Sequence, residues 1–175
     1  MNRAIPAVLL ALASTMVASG PVRTQAQQCT QDCPACTGPC AASSVNTATA
    51  NALRAALADE LRAKTYYTNV MARFGPLAPF VSVAAAEQRH ADAIVALMRR
   101  HGVPVPTTPP SDVPPVPATF ALACGVAAQA ERNNIAMYDA FLRVVTAPDI
   151  RNVFQNLRAV SLNNHLPAFE YWANR

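Results

Sequence analysis

The chain has 175 residues, enough for one domain whose core needs no disulfide or metal staple. It is rich in Ala and Leu, with 5 Gly and 6% aromatic residues, a composition that suits helices and argues against a sandwich or barrel. The formal charge of +4 is small, it shrinks if Arg3 and Arg23 leave with a leader, and the arginines are scattered without interleaved aromatics, which argues against a nucleic-acid-binding face.

Residues 1–26 read as an export signal. Arg3 gives a positive start, Ala4 to Ala18 an apolar run, and Thr24-Gln25-Ala26 small residues at the cleavage-determining positions, with cleavage expected after Ala26. The run is short for a membrane span and no later stretch is apolar for long enough. The expectation is a periplasmic or secreted protein with no stable membrane span once the leader is removed; a retained N-terminal anchor is the alternative. Residues 27–47 form a flexible segment that carries Cys29, Cys33, Cys36 and Cys40 among Gly, Pro, Thr and Ser, too short and polar to bury a core. Three readings stand there. Two disulfides would suit an oxidising compartment, with the pairing open. A tetrathiolate site would have one Cys-x-x-Cys knuckle, Cys33 to Cys36. A thiolate site could also take a soft metal such as Cu(I), or zinc.

Residues 48–175 make the folded domain, although the helical pattern already begins at Thr47. From Thr47 to Phe74, Leu53, Leu57 and Leu61 recur at helical spacing; Thr47 or Thr49 is the expected cap and Gly75-Pro76 the stop. A second helix opens at Pro79 and runs to His101, with Gly102 as its stop, and the short joint makes the two an antiparallel hairpin. Residues 102–118 hold too many prolines for helix or central strand and read as a stiff extended connection. A crossover between the ends of one bundle is preferred to a domain linker, because neither half alone would bury its apolar stripe. Thr119 caps a third helix through about Val145. A fourth runs from about Pro148 to Ala173, with a kink expected near Pro167. The fold class is all-α: two antiparallel helix hairpins joined by a long Pro-rich crossover.

The second half echoes the first. Helix one carries Glu60 with Tyr67 two turns on; helix three carries Glu131 with Tyr138 two turns on. Helix two carries Glu87-x-x-His90, whose i, i+3 spacing puts a carboxylate and an imidazole on one helix face within reach of one ion. Helix four carries Leu162-x-x-His165. Packed face to face, the hairpins would bring Glu60, Glu87, His90, Glu131 and His165 to a common point. Three of the chain's four Glu and two of its three His occupy these positions, and unpaired buried carboxylates are costly unless a cation compensates them. Tyr67, Tyr138 and Asp139 are the candidates to support the ligands from behind, with Tyr66 and Asn134 as further ones. His101 reads as a helix-end residue and Cys124 as a small core hydrophobe. Leu162 stands where the di-metal pattern calls for a sixth ligand, so the site would have five, with an open second metal position or a single metal.

In these residues the chain resembles the ferritin-like superfamily, and within it a bacterial and archaeal branch of ferritin-like domains of unknown function, with a rubrerythrin-like four-helix di-metal bundle. The resemblance rests on Asp59-Glu60, Phe74-Gly75-Pro76, Pro79-Phe80, Ala86 to His90, Gly102 to Pro106, Ala123-Cys124, Glu131, Tyr138-Asp139 and Asn164 to Phe169, over about residues 50–172. It implies a carboxylate-bridged metal centre, with iron, di-iron or mononuclear, or another first-row metal as cofactor. The expected activity is oxidation of Fe(II) by O2 or peroxide. A non-catalytic metal-handling protein, with a soft metal at the Cys cluster, and a structural bundle whose site has decayed are the competing readings. Metal ions and O2 or peroxide are the expected partners, and the bundle could also assemble with copies of itself.

Overall fold

The structure, a computed structural model, describes residues 45–175. The expected leader and the four cysteines Cys29, Cys33, Cys36 and Cys40 lie outside the described residues. Every regular element among the described residues is helical: α1 (Thr47–Phe74), α2 (Phe80–Arg100), α3 (Phe120–Val144), α4 (Pro148–Val160) and α5 (Leu166–Ala173). A π-helical turn, Ser161–His165, joins α4 to α5 without a break, so the bundle has four long rods.

Local chemistry sets the ends of these rods. Asn46, not Thr47 or Thr49, caps α1: its backbone is extended and its Oδ1 accepts from the Thr49 N–H at 2.8 Å, which leaves both threonines inside the first turn. Gly75 ends α1 with a positive φ of 91°, a conformation that costs a Cβ-bearing residue far more. Gly102, with φ 65°, ends α2; Val103 N–H then reaches back to the Met98 carbonyl at 2.8 Å while both side chains join one apolar cluster. Thr119 caps α3 through its hydroxyl, which accepts from the Leu122 N–H at 3.2 Å.

α1 packs along α2, and α3 along the α4–α5 rod, as two hairpins that meet mainly through α1 and α3. The Pro-rich segment between them runs along the bundle. Its start, Val103 and Val105, packs on one core cluster, and its later part, Val113 and Val116, packs on the other. The first cluster is built around Leu53, Leu57, Ile94, Met98, Ile150 and Phe154. The second is built around Tyr66, Val70, Phe80, Cys124 and Phe169. Cys124 is indeed a buried hydrophobe there. On each rod, the positions between the two clusters are taken by buried polar residues: Glu60 on α1, Glu87 and His90 on α2, Glu131 and Asn134 on α3, Ser161 and His165 on the π turn. A polar layer lies between two apolar cores, each of whose fully buried large side chains contributes roughly 1.5–3 kcal/mol.

The distortion in the last rod falls one turn before the expected place. The helix widens at Ser161–His165, where Leu166 N–H reaches back five residues to Ser161 O. Pro167, which lacks a backbone donor, follows directly at the start of α5, so the break in the hydrogen-bond ladder that it imposes adjoins this widened turn.

Candidate metal centre

Five ionisable side chains converge in the polar layer. His90 Nδ1 lies 3.1 Å from Glu60 Oε2 and 2.9 Å from Glu87 Oε2. His165 Nδ1 lies 3.1 Å from Glu87 Oε1 and 3.5 Å from Glu131 Oε2. Glu87 therefore divides its two oxygens between the two imidazoles. The result is two buried triads with a shared member, Glu60–Glu87–His90 and Glu87–Glu131–His165, and within each the ligand atoms lie inside 4.8 Å of one another. The imidazole rings stack at 5.5 Å with 21° between their planes.

The outer carboxylates are each held by their second oxygen. Tyr138 donates its hydroxyl to Glu60 Oε1 at 2.5 Å, and Tyr67 donates to Glu131 Oε1 at 2.6 Å. Each tyrosine thus crosses between hairpins and serves the other half's glutamate, not the one two turns below it on its own helix. Asn134 also donates to Glu60 Oε1 (3.2 Å) and to Asp59 Oδ2 (2.9 Å), and accepts from the Ser161 hydroxyl at 2.9 Å. Glu60 and Glu131 are so restrained that each presents one oxygen, Oε2, to the centre. Aromatic side chains close the layer on both sides: Tyr67, Phe80 and Phe169 on one, Tyr138, Phe141 and Phe154 on the other.

Two expectations fail on geometry. Asp139 touches no ligand; it pairs with Arg158 across the surface at 2.5 and 3.1 Å and ties α3 to α4. Position 162 is no vacated ligand site either. The π turn rotates Leu162 out, 39% exposed, while Ser161 and His165, at 2% and 4%, face in. A carboxylate at 162 would point to water. Ser161 is the functional neighbour that the sequence reading missed, although residues four apart share a helix face, so spacing back from His165 could have found it. Tyr66 donates to the Ala123 carbonyl at 3.2 Å and packs without touching the centre. His101 ties the end of α2 to the start of α4 through Asp149 at 2.9 Å.

Burial and crowding set the protonation of the metal-free cluster. Burial pushes Glu60 up to about 7, with the hydrogen bond from His90 opposing and the Glu87 charge adding to it. For His90, burial acts to lower the pKa, but Glu60 and Glu87 outweigh it and lift the imidazole to about 9. His165, with the same opposition from burial, is lifted by Glu131 and Glu87 to about 10. Burial would raise Glu87, yet the His165 and His90 imidazoles beside its two oxygens bring it below its ordinary value. Burial drives Tyr67 and Tyr138 well above their ordinary value, so both remain hydroxyl donors. Near neutral pH two imidazolium charges stand among the carboxylates, where cations would otherwise sit.

The donor set fits divalent first-row metals: three carboxylates and two imidazoles are ligands that iron, manganese, cobalt and zinc all accept. His165 Nδ1 supplies a structural test of that fit. It is buried and aimed at two carboxylates, yet makes a hydrogen bond of proper geometry to neither among the described residues. Buried polar atoms are rarely left so, and a cation between the ring and the carboxylates would satisfy it.

Two openings reach the layer. A cavity of about 360 Å³ between α1 and α3 ends on Glu87 and Glu131. On the opposite side, about 340 Å³ between α2 and the last rod reaches His165 past Arg89 and Asn164. No described helix is long and apolar enough to cross a membrane.

No protein-family model matches the chain, and no curated protein matches it. Its fold is similar to that of a hypothetical protein from Methanococcus jannaschii, known from a crystal structure, with a TM-score of 0.65 and 22% identity over 74% of this chain and 82% of that one. The likeness is one of fold. What the fold and the site together define is an all-helical bundle with buried Glu/His groups that could hold metal.

Proposed function

We propose that the protein is an exported ferritin-like metalloprotein that binds two first-row metal ions, iron foremost, in the polar layer of its bundle. The observation that carries this reading is Glu87: one buried carboxylate with an oxygen turned to each of two triads. Glu60 and His90 would complete one position, Glu131 and His165 the other, with Glu87 as the bridge. Iron held there would supply Fe(II)/Fe(III) chemistry toward O2 or peroxide.

The chain's own residues prepare for that role. Tyr138 and Tyr67 hold the far oxygens of Glu60 and Glu131, so that the near ones are fixed before a metal arrives. The aromatic clusters keep bulk water from both faces of the layer. His90 and His165 must each give up a proton to bind, and the two openings give those protons and small reactants a path. Export is supported by the Arg3 start and the apolar run before Ala26.

The test is metal content. Full-length protein recovered from an exporting host, or reloaded with Fe(II) without oxygen, should hold close to two ions per chain, and Glu87→Ala should lose both. Absorbance after mixing the Fe(II)-loaded protein with air should then show oxidation faster than in buffer. Protein that takes up no metal above trace would refute the reading; metal uptake without oxidation would confine it to metal handling.

A further inference from the structure

The cavity between α1 and α3 has features that metal binding does not require. Ala63 on α1 and Ala130 on α3, the two helices through which the hairpins meet, both line it, and Val126 and Tyr66 add to a largely carbon-lined wall. The crossover closes one side. Arg62 reaches from α1 to both Asp59 and Asp112, each at 2.9 Å, and Pro114, two residues beyond Asp112, lines the cavity. At ~30 Å³ per water-sized group, 360 Å³ holds about a dozen non-hydrogen atoms. That is generous for O2 or a lone ion, and at the lower end of the range for organic-ligand sites.

Charge narrows the class. The cavity's polar lining includes Asp59, Glu87 and Glu131, and its one cation, Arg62, is already engaged by two aspartates. An organic anion would meet carboxylates in the metal-free protein, and an organic cation would meet the bound ions in the loaded one. Only an uncharged molecule suits both states. Gln129, Asn133 and Asn134 supply hydrogen-bonding groups around it.

We propose that this cavity binds a small, uncharged, largely apolar organic molecule, the size of a one- or two-ring aromatic, with one end against Glu131 and Glu87. Binding stands on the cavity alone; that the molecule is a substrate rests on the metal reading above. The crossover is then a wall of the binding site as well as a connector, and the alanines at 63 and 130 are the residues that make room.

Indole is a suitable probe, with benzoate as its charged counterpart. Titration of the full chain, metal-free and Zn(II)-loaded, by ligand-observed NMR should show saturable 1:1 indole binding in both states and at least tenfold weaker benzoate binding to the metal-free form. Ala63→Phe and Ala130→Leu, each projecting a side chain into the cavity, should weaken indole at least tenfold while zinc stoichiometry stays as in the parent. Absence of saturable indole binding, indifference to both substitutions, or equal affinity for benzoate would overturn the proposal. Zinc content measured on the same samples separates the two claims: indole binding without metal uptake supports the cavity and sinks the metal centre, and metal uptake without indole binding does the reverse.

Discussion

Metal binding to this centre should be steeply linked to protons, and the size of the linkage follows from the site. His90 and His165 are held protonated up to about pH 9 and 10, because each faces two buried carboxylates. A metal needs the same Nδ1 lone pair, so each ion must displace a proton. At pH 7 that competition weakens apparent affinity by about a hundredfold at the His90 position and about a thousandfold at the His165 position, or about 3 and 4 kcal/mol. Glu60, raised to about 7, is half-protonated there and adds a further fraction. Filling both positions at pH 7 should thus release about two and a half protons per chain, and affinity should rise about tenfold per pH unit at each position between pH 7 and 9. Calorimetric titration with Zn(II), which has no redox chemistry, in two buffers of different ionisation enthalpy counts the protons directly. Release of fewer than one proton with both ions bound, or an affinity flat from pH 6 to 8, would refute the placement of imidazolium groups at the metal positions.

The same shifts fix the sign of stability in the metal-free protein. Both imidazoles have folded-state pKa values above the unfolded value of 6.5, so their contribution is whole below pH 6.5 and lost as pH rises through about 9 to 10. The folded state of metal-free protein should lose on the order of a few kcal/mol over that window, read as a falling urea midpoint, while metal-loaded protein should not. Glu87→Gln should abolish tight binding of both ions, whereas Glu60→Gln should spare the Glu131–His165 position; metal analysis after gel filtration tells the two apart. Leu162→Glu should leave stoichiometry and affinity unchanged, since that side chain faces water, and a third strong carboxylate contribution at the His165 position would show that residue 162 faces the centre after all. Tyr138→Phe leaves Glu60 Oε1 held by Asn134 alone and should cost 10- to 100-fold in affinity at the Glu60–His90 position, measured by competition with a chelator.

The helices and their joints were legible because they rest on local signals: leucines at helical spacing, Gly75 and Gly102 as stops, Thr119 as a cap. The convergence of Glu60, Glu87, His90, Glu131 and His165 was legible for a different reason, namely that scarce ionisable residues recur at matching places in two halves. What sequence spacing did not show depends on how rods face one another or on departures from regular geometry. Tyr67 and Tyr138 lie two turns from their own glutamates, but a tyrosine hydroxyl reaches across the hairpin interface, so each bonds the opposite one. Asp139 is adjacent in sequence to Tyr138, and that one step around the helix takes it to the surface and to Arg158. Leu162 satisfies an i, i+3 pattern that holds for an α-helix and fails in a π turn. The cavity left no sequence signal, since Ala63 and Ala130 in an Ala-rich chain look like ordinary helix formers.

A layer of five ionisable groups between two apolar cores is an expensive way to join helices. The imidazolium–carboxylate contacts offset part of the desolvation cost, but replacing buried ion networks with apolar groups of similar volume often stabilises a protein by 1–4 kcal/mol. If the layer is there for metal and not for folding, the metal-free protein should gain from losing it. Converting Glu60, Glu87 and Glu131 to Met, His90 and His165 to Leu, and Tyr67 and Tyr138 to Phe removes the ionisable groups together with the two hydroxyls that would be left unpaired. The resulting chain should stay helical, bind no metal, and at pH 9 unfold at higher urea than the metal-free parent, by on the order of 1–4 kcal/mol. A variant that is less stable than the metal-free parent, or that loses its cooperative transition, would mean that the polar layer fixes the register of the two hairpins by itself. Its glutamates and histidines would then be explained by folding alone, with no ion required.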